Sequence, residues 1–217
     1  MRPVVCMITA PISAAAFAKA EEALVQRIGA AARAGTHIIH IRQPQLEGLA
    51  FTRLVQRALG AIEGAAARVL VNDRVDVALA AGAHGVHLRG NSMAAARVRT
   101  IAPPGFVIGR SVHSVGEALE AERDGGLDYL LFGTVFASAS KPGAAPAGIE
   151  VLARACGAVA LPVLAIGGVT ASTVAPVARA GAAGFAAIGL FANAAVDAMP
   201  QAVQQARSAF DTPVRVP

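Results

Sequence analysis

Eight short apolar runs punctuate the chain, each followed within a few residues by polar positions or glycine and then by a stretch that favours helix. The runs are VVCMIT (4–9), HIIHIR (37–42), RVLVND (68–73), GVHLR (85–89), FVIGRSVH (106–113), YLLFGTVF (129–136), PVLAIGG (162–168) and GFAAIGLF (184–191). Runs this rich in Val, Ile and Leu, with little alternation, fit strands buried on both faces. Between them lie EEALVQRIGAAARAG, LAFTRLVQRALGAI, RVDVALAAG, EALEAERDGG and VAPVARAGA. Several of these close on a glycine just past the last apolar position, where a helix can end. Strand then helix, repeated eight times without a linker or a change of composition, predicts parallel strands joined by crossover helices. The expectation is an α/β fold, a single closed (β/α)8 barrel over residues 1–217 with about 208–217 as a loose tail. An open doubly wound sheet is the alternative.

Composition supports one core. Hydrophobic residues make up 55% of the chain and the mean hydropathy is +0.55, enough apolar surface to fold without disulfide staples. A net charge of +5 and a pI of 10.2 permit an acidic ligand, but the arginines are dispersed and no basic run occurs, so no nucleic-acid partner is expected. Cys6 and Cys156 stand far apart, each inside an apolar segment, as buried reduced thiols of a cytoplasmic protein would. The opening MRPVVCMITAPISAAAFA has the basic start and small residues of a signal peptide. Pro3, Pro11 and the Val-Val-Cys-Met-Ile run read better as a first strand and its loop. Residues 155–178 are uncharged, yet Pro162, Gly167, Gly168 and Pro176 interrupt them, so no membrane span is expected.

In a barrel of this kind the chemistry sits at the C-terminal ends of the strands. The polar residues there are Arg42 and Gln43, Asn72 and Asp73, His87 and Arg89, Ser111 and His113, and Thr134. Lys19 and Lys141 are the only lysines, and Lys141 follows Ser138 and Ser140 in the loop after strand six, a grouping that could hold a phosphate. Gly167 and Gly168 after strand seven and Gly189 in strand eight would let backbone N–H groups approach the same phosphate. In GRSVHSVGEALEAERDGG, Ser114 and Glu117 form an S-x-x-E capping box, so a helix starts directly after His113. The positive end of that helix favours a neutral imidazole, able to act as a general base.

HIRQ, VLVNDRVDVALAAGAHGVHL, IGRSVHSVGEALEAE, DYLLFGTVFASASKPG, GIEVL and PVLAIGGV together resemble the thiamine phosphate synthase/TenI superfamily, from about residue 4 to 195. The resemblance implies a TIM barrel that binds a small-molecule thiazole phosphate, usually as a homodimer, in bacterial thiamin biosynthesis. Synthases of this superfamily join a pyrimidine diphosphate to a thiazole phosphate with magnesium. Their motifs supply a lysine two residues beyond the strand-two arginine and a second aspartate after GVHL. Here those positions are Pro44 and Ser92, leaving Asp73 as the only matching metal carboxylate. TenI-type thiazole tautomerases resemble the chain in GRSVHS and in lacking that aspartate, and their histidine, here His113, aromatises a carboxythiazole phosphate tautomer without metal. Gln43 stands where the family motif usually has glutamate.

The expectation is therefore a thiazole tautomerase, an isomerase without a cofactor, in which His113 moves the proton. Gly167, Gly168, Gly189, Lys141, Ser138 and Ser140 would hold phosphate, Arg42 would face the carboxylate, and Asn72, Ser111 and Thr134 would shape the pocket. The alternatives are a thiamine phosphate synthase using magnesium at Asp73, and a noncatalytic barrel that binds thiazole or thiamin phosphates.

Overall fold

A computed structural model describes residues 3–138, 143 and 145–211. Ser140 and Lys141 lie outside the described residues, as do 212–217. The strands are β1 (Val4–Ile8), β2 (Ile38–Ile41), β3 (Arg68–Asn72), β4 (Gly85–Leu88), β5 (Val107–Val112), β6 (Tyr129–Phe132), β7 (Val163–Ala165) and β8 (Gly184–Ala187). Each pairs in parallel with the next, and β8 returns to β1, so the sheet closes into the expected barrel.

Helices α1 (Ala14–Arg33), α2 (Gly48–Ala61), α3 (Val75–Ala81), α4 (Ala95–Arg99), α5 (Val115–Asp124), α6 (Ile149–Ala158) and α7 (Val174–Arg179) are the crossovers. After β8 come a short α8 (Gly189–Ala192) and α9 (Met199–Asp211). In α2 the buried positions are Phe51, Leu54, Val55 and Ala58, one stripe at helical spacing laid against the barrel wall. Full burial of a side chain such as Leu54 contributes about 1.5–3 kcal/mol, and Leu54→Ala would cost about 2–5 kcal/mol.

Several boundaries differ from the sequence reading. Helix α9 runs through Asp211, so residues 208–211 are helical where a tail is expected. Strands six, seven and eight end earlier than their apolar runs. Beyond β6, Val135 and Phe136 still donate to the carbonyls of Ile166 and Gly167, but as a loop. Beyond β8, Ile188 turns helical and Gly189 opens α8 rather than ending a strand. The runs overshoot because Val135 and Phe191 stay fully buried after the ladder stops, so hydrophobicity does not mark the rim.

Two core layers result. The outer one packs barrel against helices. The inner one fills the barrel with Cys6, Ile38, Leu70, Tyr129, Leu164 and Ala186. Both cysteines are free thiols; burial pushes both thiols up, Cys156 to about 11. At the N-terminal face the His37 and His84 Nδ1 atoms accept from the backbone N–H groups of Val5 and Val69, each at 3.1 Å. No described helix is long and apolar enough to cross a membrane.

Candidate active site

Side chains alternate across a strand, so residues two apart along a barrel strand climb the same inner wall. On β2 this parity carries Ile38, then His40, then Arg42; on β4 it carries His87, then Arg89; on β5, Ser111 and His113. The C-terminal end of the barrel therefore opens into a cavity of about 510 Å³. Arg42, Asn72, Ser111, His113, Thr134, Ser138 and Gly167 all line it, as expected of them. Gly168 and Gly189 are not among its lining residues.

The floor is a polar network that the sequence did not announce. His40 Nε2 lies 3.2 Å from Asn72 Oδ1, and His87 Nε2 lies 2.8 Å from Ser111 Oγ. His87 Nδ1 is 2.9 Å from the Tyr129 hydroxyl, and the His40 and His87 rings meet tilted, with centroids 4.7 Å apart and 46° between their planes. Burial lowers the pKa of both rings, His40 to about 4, so both are neutral near pH 7. A neutral ring has one donor and one acceptor, so the proton that Tyr129 gives or takes at Nδ1 sets which way Ser111 points at Nε2. Gly109 makes the bond possible. It sits between His87 and Tyr129 in register, and a Cβ there would lie 2.1 Å from Tyr129 Cζ.

The rim is held by backbone-directed side chains. Thr9 Oγ1 accepts from the Arg42 N–H at 2.9 Å, fixing the end of β2. Gln43 is buried. Its Nε2 donates to the Ala10 carbonyl at 2.8 Å while its Oε1 accepts from the Ile12 N–H at 2.9 Å, tying down the loop after β1. Gln43 thus serves that loop and not the Arg42 side chain. The Arg42 guanidinium has no hydrogen-bond or ion-pair partner among the described residues and faces the cavity.

Ser114 Oγ accepts from the Glu117 N–H at 3.1 Å, so the serine half of the expected capping box forms, while the glutamate reaches one residue further back than the box requires. The Glu117 carboxylate reaches back to the His113 N–H at 2.8 Å and lies 3.2 Å from His113 Nδ1. At Gly167, φ is +98° and a Cβ would lie 2.4 Å from Thr134 Cγ2, so only glycine lets the chain turn there against the loop after β6.

Asp73 is not a free carboxylate. Its Oδ2 takes Arg89 Nε at 2.6 Å and Arg89 Nη2 at 2.5 Å, and its Oδ1 takes the Ser92 hydroxyl. Ser92 Oγ also accepts from the Arg89 N–H at 2.9 Å, closing the turn after β4. Both oxygens are thus engaged, and no group of three or more His, Cys, Asp or Glu that could hold a metal occurs among the described residues. As arranged, these side chains do not form a magnesium site.

A family model described as thiamine monophosphate synthase matches residues 6–191. The chain belongs to the thiamine monophosphate synthase family. Thiamine-phosphate synthase of Methanoculleus marisnigri is 43% identical over 73% of this chain and 75% of that protein. The Chlorobium luteolum thiamine-phosphate synthase is 36% identical over 86% and 84%. Among solved structures, thiamine phosphate pyrophosphorylase from Pyrococcus furiosus superposes with a TM-score of 0.80 at 29% identity, covering 95% of each chain.

These relatives overturn the tautomerase, and with it the isomerase class. That reading leaned on Pro44, Ser92 and GRSVHS, three local features, whereas the likeness to synthases runs through most of the barrel. Of the charged and aromatic lining residues, His40 is not singled out in the sequence, and His87 and Arg89 are noted at a strand end without being given a role. Strand parity points to the first two: His40 lies two residues before Arg42, and His87 two before Arg89.

Proposed function

We propose that the chain is a transferase, a thiamine-phosphate synthase that joins a pyrimidine diphosphate to a thiazole phosphate and releases diphosphate. The observation that carries this reading is the charge of the cavity: Arg42 and Arg89 line it, and no carboxylate does among the described residues. Such a wall suits two phosphorylated substrates at once. Thiamine-phosphate synthases among the relatives supply the reaction class.

In this reading Arg42 and His113 meet phosphate oxygens from opposite strands. Gly167 and Ser138, which line the same wall, hold the thiazole phosphate. Asn72, Ser111 and Thr134 orient the heterocycles, and the neutral His40 and His87 rings beneath them keep the two polar side chains aimed upward. Holding both substrates in one cavity supplies proximity and orientation. The protein is expected to work as a homodimer.

The reading is tested by complementation. A bacterium lacking its own thiamine-phosphate synthase should grow without thiamin when it expresses this chain. Failure to grow, with soluble protein present in the cells, would count against the proposal.

A further inference from the structure

The turn after β4 places a fixed guanidinium at the mouth of the cavity, where it engages the Asp73 carboxylate beneath it. Asp73 is the sole non-glycine residue with positive φ among the described residues, at 61°. That conformation is uncommon for a residue with a side chain and is kept where the surroundings determine it. Here it is held by the Asp73 N–H donating to the His87 carbonyl at 2.8 Å, by the two Arg89 contacts on Oδ2, and by Ser92 on Oδ1.

Arg89 spends only one face on Asp73. Nε and Nη2 go to a single oxygen, while Nη1 has no protein partner among the described residues and the side chain remains 64% exposed at the cavity mouth. A guanidinium held this way keeps donors free in a fixed plane, the geometry that binds phosphate oxygens in pairs. Gly90 and Asn91, next along the turn, line the same wall.

Resting on the synthase reading, we propose that Arg89, positioned by Asp73 and Ser92, binds the departing diphosphate in this chain in place of a carboxylate-held metal ion. The bond between the pyrimidine's carbon and its diphosphate breaks with its electron pair going to the diphosphate oxygen, the lone pair of the thiazole nitrogen forms the new bond to that carbon, and the negative charge developing on the diphosphate falls on the free Nη1 edge. Arg42, at the end of β2 on the other side of β3, shares that charge. Ser92 thereby has a positive role: its hydroxyl donates to Asp73 and orients it toward Arg89, which a carboxylate at the same position would repel.

The test is a calorimetric titration of inorganic pyrophosphate into the full chain, first with EDTA and then with excess magnesium. Pyrophosphate should bind in EDTA, and Arg89→Ala should weaken that binding about tenfold to a hundredfold, the loss expected for charge-assisted hydrogen bonds. The variant should keep the wild-type far-UV circular dichroism spectrum, which separates a lost anion contact from a lost fold. Binding by the wild type only when magnesium is present would overturn the inference, and so would an Arg89→Ala variant that binds as tightly as wild type. The coupling reaction separates the two proposals. Product formed in EDTA supports both; product formed only with magnesium sinks the role of Arg89 and leaves the synthase standing. No product in either condition, with pyrophosphate still bound in EDTA, removes the synthase and leaves the anion site.

Discussion

Replacing Tyr129 with Phe probes the floor of the site with almost no change of shape. The ring is buried, and its hydroxyl lies 2.9 Å from His87 Nδ1, a nitrogen with no other partner among the described residues. Tyr129→Phe removes one side of that bond and leaves a buried polar nitrogen unsatisfied. Such a loss costs about 1–3 kcal/mol. For a chain of this length each kcal/mol moves the melting temperature by about 2–4 °C, so Tm should fall by about 2–12 °C. The measurement is a thermal melt followed by circular dichroism at pH 8, where both floor imidazoles are neutral. The same variant should loosen Ser111, which shares the His87 ring, and so raise KM more than it lowers kcat. A melting temperature within about 1 °C of wild type would refute the claim that the hydroxyl is satisfied by His87. An unchanged KM would refute the coupling to Ser111.

Three further outcomes follow from the same geometry. Gly109→Ala puts a Cβ 2.1 Å from Tyr129 Cζ, so it should displace the ring and lower Tm by more than Tyr129→Phe does; equal Tm values would show the ring can move freely. Gln43→Glu sets a carboxylate oxygen against the Ala10 carbonyl in a buried position. It should cost about 1–3 kcal/mol at neutral pH and speed proteolysis in the loop after β1, checked by urea denaturation and limited digestion. Stability should also fall as pH drops below about 6.5, because His40 and His87 stay neutral in the fold while their unfolded counterparts take up protons. Each adds a slope of about 1.4 kcal/mol per pH unit between its unfolded pKa and its lowered folded one, and His37 and His84, lowered by burial and by the nearby Arg207 and Arg68, act in the same direction. A flat urea midpoint between pH 7 and pH 5 would contradict this.

The barrel was legible because parallel strands covered on both faces leave continuous apolar runs, and all eight were found at their starts to within a residue or so. Their ends were not, since Val135, Ile166 and Phe191 carry the hydrophobic pattern past the last ladder bond into loops and α8. Seven of the residues expected at the site do line the cavity, because strand parity and the C-terminal ends suffice to place them. What stayed hidden depends on partners distant in sequence. Tyr129 reaches His87 across 42 positions, and Arg89 claims Asp73 across 16, so Asp73 read alone resembled a free metal carboxylate. The choice of branch failed for a related reason. Pro44, Ser92 and His113 were weighed as isolated marks, although Ser92 is a structural partner of Asp73 and His113 is bonded to Glu117 through its own cap.

The central claim is most directly tested by 31P NMR of the purified protein mixed with the pyrimidine diphosphate and the thiazole phosphate. The account predicts that the diphosphate ester resonances disappear as inorganic pyrophosphate and thiamin phosphate grow in equal amounts. Spectra in which both substrates persist unchanged, with or without magnesium, would contradict it.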